Sequence, residues 1–280
     1  MKIEVGESLV SSYLNHVEGC RIIQTNWKTS SNWKVDEKLN KEAEELYNKI
    51  NSNNDFSNVL KTDGKKNSFS QFIKQAEIDV LGINTSELRV FGIDIAFHSS
   101  GLNYSSSSQT SEEIVLKKIF RTALIMKIYF EQYDKFESIF VSPKINPSLQ
   151  KKIDIPLDKA KDLLSSHNID IKVISNTTFY NEMLDPLLKK GSKENDTSEL
   201  FLRSYKLLEM ASKSNSTISK IKPVTKSKNI HMKKEIKGMK IGQFVQHCFR
   251  DAFDQNLIKD DEIKRLQDTA YSKNIFNANF

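Results

Sequence analysis

Residues Ala76–Phe97 read AEIDVLGINTSELRVFGIDIAF, and this stretch decides the fold. Two short β-favouring apolar runs, Ala76–Leu81 and Leu88–Phe97, are separated by Gly82 and the turn-forming NTSE, the pattern of a β-hairpin. Side chains alternate along a strand, so in the second run Val90, Gly92, Asp94 and Ala96 share one face and Phe91, Ile93, Ile95 and Phe97 the other. Asp94 therefore sits on a face lined with small residues. In the first run Glu77 and Asp79 share a face opposite Ile78 and Val80. An acid in the middle of each apolar strand is costly unless it meets a cation or a strong donor.

Outward from the hairpin, the pattern alternates between helical and extended. Val5, Leu9, Tyr13, Leu14 and Val17 fall at helical spacing, and Gly19 closes that helix. Arg21–Trp27 (RIIQTNW) is rich in strand-favouring residues, and Lys38–Asn51 is charged and helix-favouring. Asn51–Ser70 is full of Asn, Ser, Asp and Gly and predicts a loop or insertion. After the hairpin, Glu112–Phe130 predicts a long helix capped by Ser111 with acids in its first turn. Glu137–Val141 reads as a buried strand, Leu157–Ser166 as a helix and Asp170–Ser175 as a strand. This order predicts an α/β fold, a mixed central sheet flanked by helices. The apolar stripe Ile241, Phe244, Val245, Cys248, Phe249, Ala252 and Phe253 predicts a small C-terminal helical module. The expected organisation is an α/β domain over residues 1–205, a basic linker over 206–236 and the helical module over 237–280.

Composition removes several function classes. No run reaches the eighteen or so apolar residues of a membrane span, since Lys117, Lys118, Arg121 and Lys127 break the most apolar segment. The opening residues MKIEVGESLV carry acids where a secretory signal has a basic flank. Two cysteines, Cys20 and Cys248, build neither a disulfide framework nor a four-cysteine zinc site, so a cytoplasmic protein is expected. No G-x-x-x-x-G-K-[ST] loop is present. The net charge of +6 is concentrated: between Arg203 and Lys240 stand eleven basic residues against two acids, and the remainder of the chain is mildly acidic. Lys220, Lys222, Lys226, Lys228, Lys233 and Lys234 form the strip expected to hold a nucleic-acid backbone, each phosphate contact releasing counterions. The plainer reading is a solvated linker.

Three carboxylates carry the candidate chemistry: Glu7 on the first helix, Asp79 on the first hairpin strand and Asp94 on the second. Magnesium or manganese prefers oxygen ligands, commonly one or two carboxylates completed by water and substrate phosphate. Such an ion activates a water and neutralises phosphodiester charge, which is the work of a nuclease. The plainer reading is that Asp79 and Asp94 pair with a buried Arg or Lys.

With Glu7 in GESL, Asp79 in EIDVLG and Asp94 in GIDIAFH, residues 1–175 resemble the PD-(D/E)XK nuclease superfamily, the restriction-endonuclease-like fold. That family places an acid on an initial helix, an Asp on one hairpin strand and an acid-x-Lys on the next, followed by a helix and a strand. The resemblance implies a magnesium-dependent endonuclease acting on DNA, of a restriction or phage-defence kind, with Glu7, Asp79 and Asp94 as metal ligands. A double-strand cut needs two active sites, which implies a homodimer. The departure is Ala96, two residues after Asp94, where the family has the lysine that orients water and stabilises the transition state. Candidates to replace it are Lys118 or Lys117 on the following helix and His98 just past the strand; Gln24 and Lys28 are more remote candidates. Lys118 also reads as one more helix-surface cation. The rival function is a catalytically inactive protein of the same fold that binds nucleic acid or assembles a defence or repair complex. His16 with Cys20 falls short of a zinc site, and Trp27 and Trp33 read as packing aromatics or as base-stacking platforms.

Overall fold

The computed structural model describes residues 5–30, 32–62, 65–66, 68–98, 101–104, 109–191 and 198–218, of which 62, 65–66 and 211–218 are described by their backbone alone. The chain divides into two units, Met1–Ile218 and Ser219–Phe280, and every described residue lies in the first. The elements in order are α1 (Val5–His16), β1 (Ile22–Lys28), α2 (Glu37–Ser52), a short 3-10 helix (Asn54–Phe56), β2 (Lys61–Thr62), β3 (Lys65–Lys66), α3 (Phe69–Lys74), β4 (Glu77–Asn84), β5 (Arg89–Ile95), α4 (Ser111–Tyr129), β6 (Lys135–Ser142), α5 (Pro147–Ser165) and β7 (Ile169–Ser175). A helical run follows as α6 (Asn176–Thr178), a π-helical stretch Phe179–Leu184 and α7 (Asp185–Gly191), and then α8 (Leu200–Ile218).

Five strands form one mixed sheet in the order β1-β4-β5-β6-β7. β1 and β5 both run antiparallel to β4, while β5, β6 and β7 are parallel. The fold is thus α/β with helices on both faces, because each sheet face has its own apolar cluster. The larger cluster packs α2, α3, α4 and α5 on one face through residues such as Leu46, Phe72, Phe120 and Leu164. The smaller packs α1, the π-helical stretch, α7 and α8 on the other, through Leu14, Met183, Leu187 and Leu202. Among the described residues no helix is long and apolar enough to cross a membrane.

The hairpin differs from its sequence reading in length. β4 runs through Gly82 to Asn84, whose side-chain oxygen accepts the Ser86 and Glu87 N–H groups at 3.0 Å and so builds the turn itself. Gly82 is needed inside the strand, since a Cβ there would stand 2.8 Å from Leu14 Cδ1. The expected alternation also breaks: Ile78 packs in the larger cluster and Val80 in the smaller. The β1–β4 ladder skips Asn26, which has a φ of 53° at the position facing Asp79.

α4 is capped by Thr110, not Ser111: the Thr110 hydroxyl accepts the Glu113 N–H, and Glu113 accepts the Thr110 N–H at 2.9 Å, a reciprocal cap. Ser111 instead accepts the Tyr104 N–H. The stretch expected as a loop, 51–70, buries Phe56, Val59, Leu60 and Phe69 against the core, because its sparse apolar residues coincide on one side. Residues 206–218 of the expected linker belong to α8, which is anchored by Leu202 and by the Phe201 N–H donating to Ser8 Oγ at 2.9 Å. The rest of that linker, with Lys220, Lys222, Lys226, Lys228, Lys233 and Lys234, and the 237–280 module lie outside the described residues.

Candidate functional site

The two strand aspartates meet at one end of the hairpin. The β4–β5 register ends at Val80↔Ile93, so the next step sets Asp79 opposite Asp94. The ladder stops there because Asp79 Oδ2 takes over the role of a main-chain acceptor and binds the Ile95 N–H at 2.7 Å. Asp94 faces α4, as does its neighbour on the same strand face, Gly92, where a Cβ would lie 2.4 Å from Thr122 Cγ2. That closeness brings α4 onto the strand and lets the Thr122 hydroxyl donate to Asp94 Oδ2 at 2.7 Å.

Lys118, one helical turn before Thr122, completes the group. Its Nζ stands 3.2 Å from Asp94 Oδ1 and 4.0 Å from Asp79 Oδ2. The side chain of Asp94 is 5% exposed, that of Asp79 24% and that of Lys118 32%, so the constellation opens to solvent on the Asp79–Lys118 side. Burial pushes the Asp79 carboxyl above its usual range; Lys118 opposes this and Asp94 reinforces it. Burial depresses the Lys118 ammonium, but Asp94 and Asp79, with Tyr104 and the hydrogen bond to Asp94, outweigh it and its pKa is raised. Lys118 is therefore a fixed cation at neutral pH, held by two carboxylates.

The remaining sequence candidates lie elsewhere. Glu7 rises from α1, on the opposite sheet face from α4, and its Oε2 accepts a hydrogen bond from Asn26 Nδ2 at 3.1 Å. Among the described residues no three His, Cys, Asp or Glu side chains form a group that could hold a metal ion, so Glu7 does not join Asp79 and Asp94 in a three-carboxylate cluster. The reason is architectural: α1 packs beneath the sheet and Asn26 intercepts its acid. Lys117 points away from the site and donates to the Lys61 carbonyl at 2.5 Å and to Gln109 at 3.3 Å. His98 is exposed, its ring edge-on to Tyr104 at 6.2 Å between centroids, and among the described residues no hydrogen bond or ion pair joins it to either aspartate. Lys28 pairs with Glu77 at 3.2 Å, and Gln24 sits on β1 opposite Leu81. Ala96 is buried in the larger cluster. His16 bonds to Glu199, not to Cys20, and burial raises the Cys20 thiol to about 12.

Thr122 and Asn26 are the participants that sequence reasoning missed. A signal for the first existed: Lys118 and Thr122 are four residues apart and so share a helix face, on the helix that follows the strand carrying Asp94. Asn26 left no such signal, because its role depends on an unusual backbone conformation opposite Asp79.

The donor chemistry suits a hard divalent cation. Asp79 and Asp94 offer carboxylate oxygens beside the Lys118 ammonium that touches them, and the Arg121 guanidinium also acts electrostatically on Asp94. Comparison of the chain with protein-family models, with curated proteins and with solved structures finds no match.

Proposed function

We propose that Asp79, Asp94 and Lys118 form the hydrolytic centre of a metal-dependent nuclease of the PD-(D/E)XK, restriction-endonuclease-like kind, in which the motif lysine is supplied from α4. The observation that carries this reading is the 3.2 Å approach of Lys118 Nζ to Asp94 Oδ1. The strand position where the family has its lysine holds buried Ala96, and Lys118, 24 residues after Asp94, delivers the ammonium to the same carboxylate pair. The helix, antiparallel hairpin, helix and parallel strand that carry these residues agree with that family's order of elements.

In this reading each residue has a distinct task. Asp79 and Asp94 would hold magnesium or manganese, which supplies Lewis-acid charge neutralisation at the phosphodiester and an acidified water. Lys118 stays protonated and places a positive charge where the pentavalent phosphate gains negative charge; a charge fixed before the reaction costs no reorganisation during it. Thr122 holds Asp94 in one rotamer through its buried hydroxyl bond. The Ile95 N–H does the same for Asp79. Glu7, engaged with Asn26, is a flanking acid and not a ligand.

The substrate class proposed is DNA. Lys144 and Lys152, with Glu112, line a cavity of about 650 Å³ at the starts of α4 and α5, and the sequence beyond residue 218 is rich in lysine. A homodimer is proposed for cleavage of both strands. The rival reading, a nucleic-acid-binding protein without the chemistry, draws on Ala96 and on the diversion of Glu7.

The deciding experiment is cleavage of plasmid and linear DNA with magnesium or manganese by the wild type, Asp79→Ala, Asp94→Ala and Lys118→Ala, all checked for folding. Metal-dependent cleavage lost in all three variants supports the hydrolytic centre. Salt-sensitive DNA binding without cleavage, unchanged by the substitutions, establishes the rival reading.

A further inference from the structure

The segment Asn26–Lys34 reads NWKTSSNWK, so the tripeptide Asn-Trp-Lys occurs twice within nine residues. The fold brings both of its tryptophans to one place. Trp27 lies near the end of β1, and the turn after the strand, closed by the Trp33 N–H donating to the Ser30 carbonyl at 3.2 Å, swings Trp33 back over the first ring. The ring centroids are 5.7 Å apart. Tyr129 and Phe130 from the end of α4 close the sides, at 5.8 and 5.6 Å from Trp27. These four rings and Lys34 frame a cavity of about 290 Å³. Trp27 is 5% exposed and forms its floor, whereas Trp33 is 47% exposed. A core cluster fills its own interior; this one leaves a wall of tryptophan in water and a space beside it.

We propose that this cavity is a stacking site for one unpaired nucleobase of a single-stranded polynucleotide, with Lys34 meeting the adjoining phosphate. The proposal rests on the proposed function, that the chain acts on nucleic acid, and it adds that the substrate presents an unpaired base. Three observations select this occupant. Flat aromatic walls bind a π-face of any base, and base stacking on aromatic side chains is the usual platform for single strands. Among the described residues the charged residue lining the cavity is a lysine, which disfavours a cationic guest in an aromatic cage and favours an anionic one. Lys28, the other lysine of the repeat, is held by an exposed ion pair with Glu77, the kind that a phosphate displaces at little cost. The strand that carries Trp27 also pairs with the strand that carries Asp79. Trp27 pairs with Ile78, the residue before Asp79, and it follows Asn26, which holds Glu7.

The chain contains two tryptophans and both line this cavity, so the whole tryptophan emission reports on it. The test titrates the full-length protein with a ten-residue oligothymidylate in the presence of EDTA, following tryptophan emission and, separately, the anisotropy of a labelled oligonucleotide. The expected result is saturable quenching by the single strand, much weaker quenching by duplex DNA of equal length, and a loss of affinity of roughly 5- to 150-fold in Trp33→Ala, where Trp27 remains as reporter. Lys34→Ala is expected to lower the steepness of the log–log salt dependence by about 0.7, the value of one single-strand phosphate contact. Lys34→Glu reverses the charge of an exposed side chain without disturbing the aromatic packing, and is expected to weaken binding further. The proposal is overturned if the oligonucleotide does not bind, if it binds without changing the emission, if the variants bind as tightly as the wild type, or if duplex quenches equally. Quenching by a proline-rich peptide and not by the oligonucleotide also overturns it. Cleavage with magnesium, assayed on the same preparations, reports separately: cleavage without quenching removes the stacking site alone, and quenching without cleavage leaves it standing and removes the hydrolytic reading.

Discussion

Lys118 Nζ and Asp94 Oδ1 lie 3.2 Å apart although 24 residues separate them in the chain. The pair is asymmetric: Asp94 is almost wholly buried and Lys118 reaches it from the solvent side. Removing the lysine therefore takes from buried Asp94 the cation it touches, leaving only the more distant Arg121 guanidinium. Lys118→Met is expected to lower stability by about 2–4 kcal/mol and to abolish metal-dependent cleavage. Adding Asp94→Asn in the same chain should restore a large part of the stability and none of the activity, a non-additivity typical of residues in contact. Chemical denaturation of the two single variants and the double variant measures it.

Asp79 gives a prediction for pH. Its carboxyl is raised above the usual 3.8, first by burial. The folded state therefore binds a proton more tightly than the unfolded chain. The stability contributed is fully present below about 3.8, the unfolded value, and is lost as pH rises through the higher folded value. Ionising Asp79 in the folded state is therefore a net cost. Asp79→Asn, which keeps an oxygen for the Ile95 N–H, is expected to melt at a higher temperature than the wild type at pH 7. The difference should vanish near pH 3, as thermal melts across that range will show. A more stable but inactive variant is the expected mark of a site whose charges are kept for function.

Metal binding is testable without activity. A ligand that binds only the folded state stabilises it by about 2.7 kcal/mol at a hundred times its dissociation constant. Magnesium or manganese should raise the melting temperature of the wild type and leave Asp79→Ala and Asp94→Ala unmoved. Glu7→Gln should keep most of the shift, because Glu7 is bonded to Asn26.

Gly92 sets how closely α4 approaches β5. A Cβ there would meet Thr122 Cγ2 at 2.4 Å and Met126 Sδ at 2.9 Å. Gly92→Ala is expected to cost about 1–3 kcal/mol through overpacking, and to cut cleavage further by pushing Thr122 and Lys118 off Asp94. Gly82→Ala, which crowds Leu14 on the other face, should cost similar stability. Its residual activity, measured at a temperature where both variants are folded, should stay near that of the wild type.

Thr122→Val removes the hydroxyl from Asp94 Oδ2 while keeping the volume. A buried acceptor left without its donor costs about 1–3 kcal/mol, and a carboxylate free to rotate should lower kcat with little change in KM. Steady-state cleavage kinetics separate the two.

Much of the sheet was legible from local pattern. Alternation in Leu88–Phe97 placed Asp94 among small residues, and the structure sets Gly92 and Asp94 on the α4 face. Helical spacing located α1 and α4 to within a residue or two. Asp79 was harder, since Asn26 disturbs the ladder opposite it and the alternation of β4 breaks at Ile78. Residues 51–70 misled because a polar composition hides a few apolar residues, Phe56 and Leu60 among them, that fall on the same side of an irregular chain.

The sequence by itself determined the α/β class, the hairpin, and the presence of two acids in apolar strands that demand a counter-charge, because strand and helix periods are properties of neighbouring residues. Only the tertiary structure decided which cation answers them. Lys117 and Lys118 are adjacent in sequence, and the rotation of α4 over Gly92 turns one toward Asp94 and the other toward the Lys61 carbonyl. The same holds for Glu7, set apart by lying on the other face of the sheet, and for Trp27 and Trp33, joined to Tyr129 and Phe130 from the far end of α4. Such encounters follow from how helices pack on a sheet, a relation between distant parts of the chain that no local period encodes.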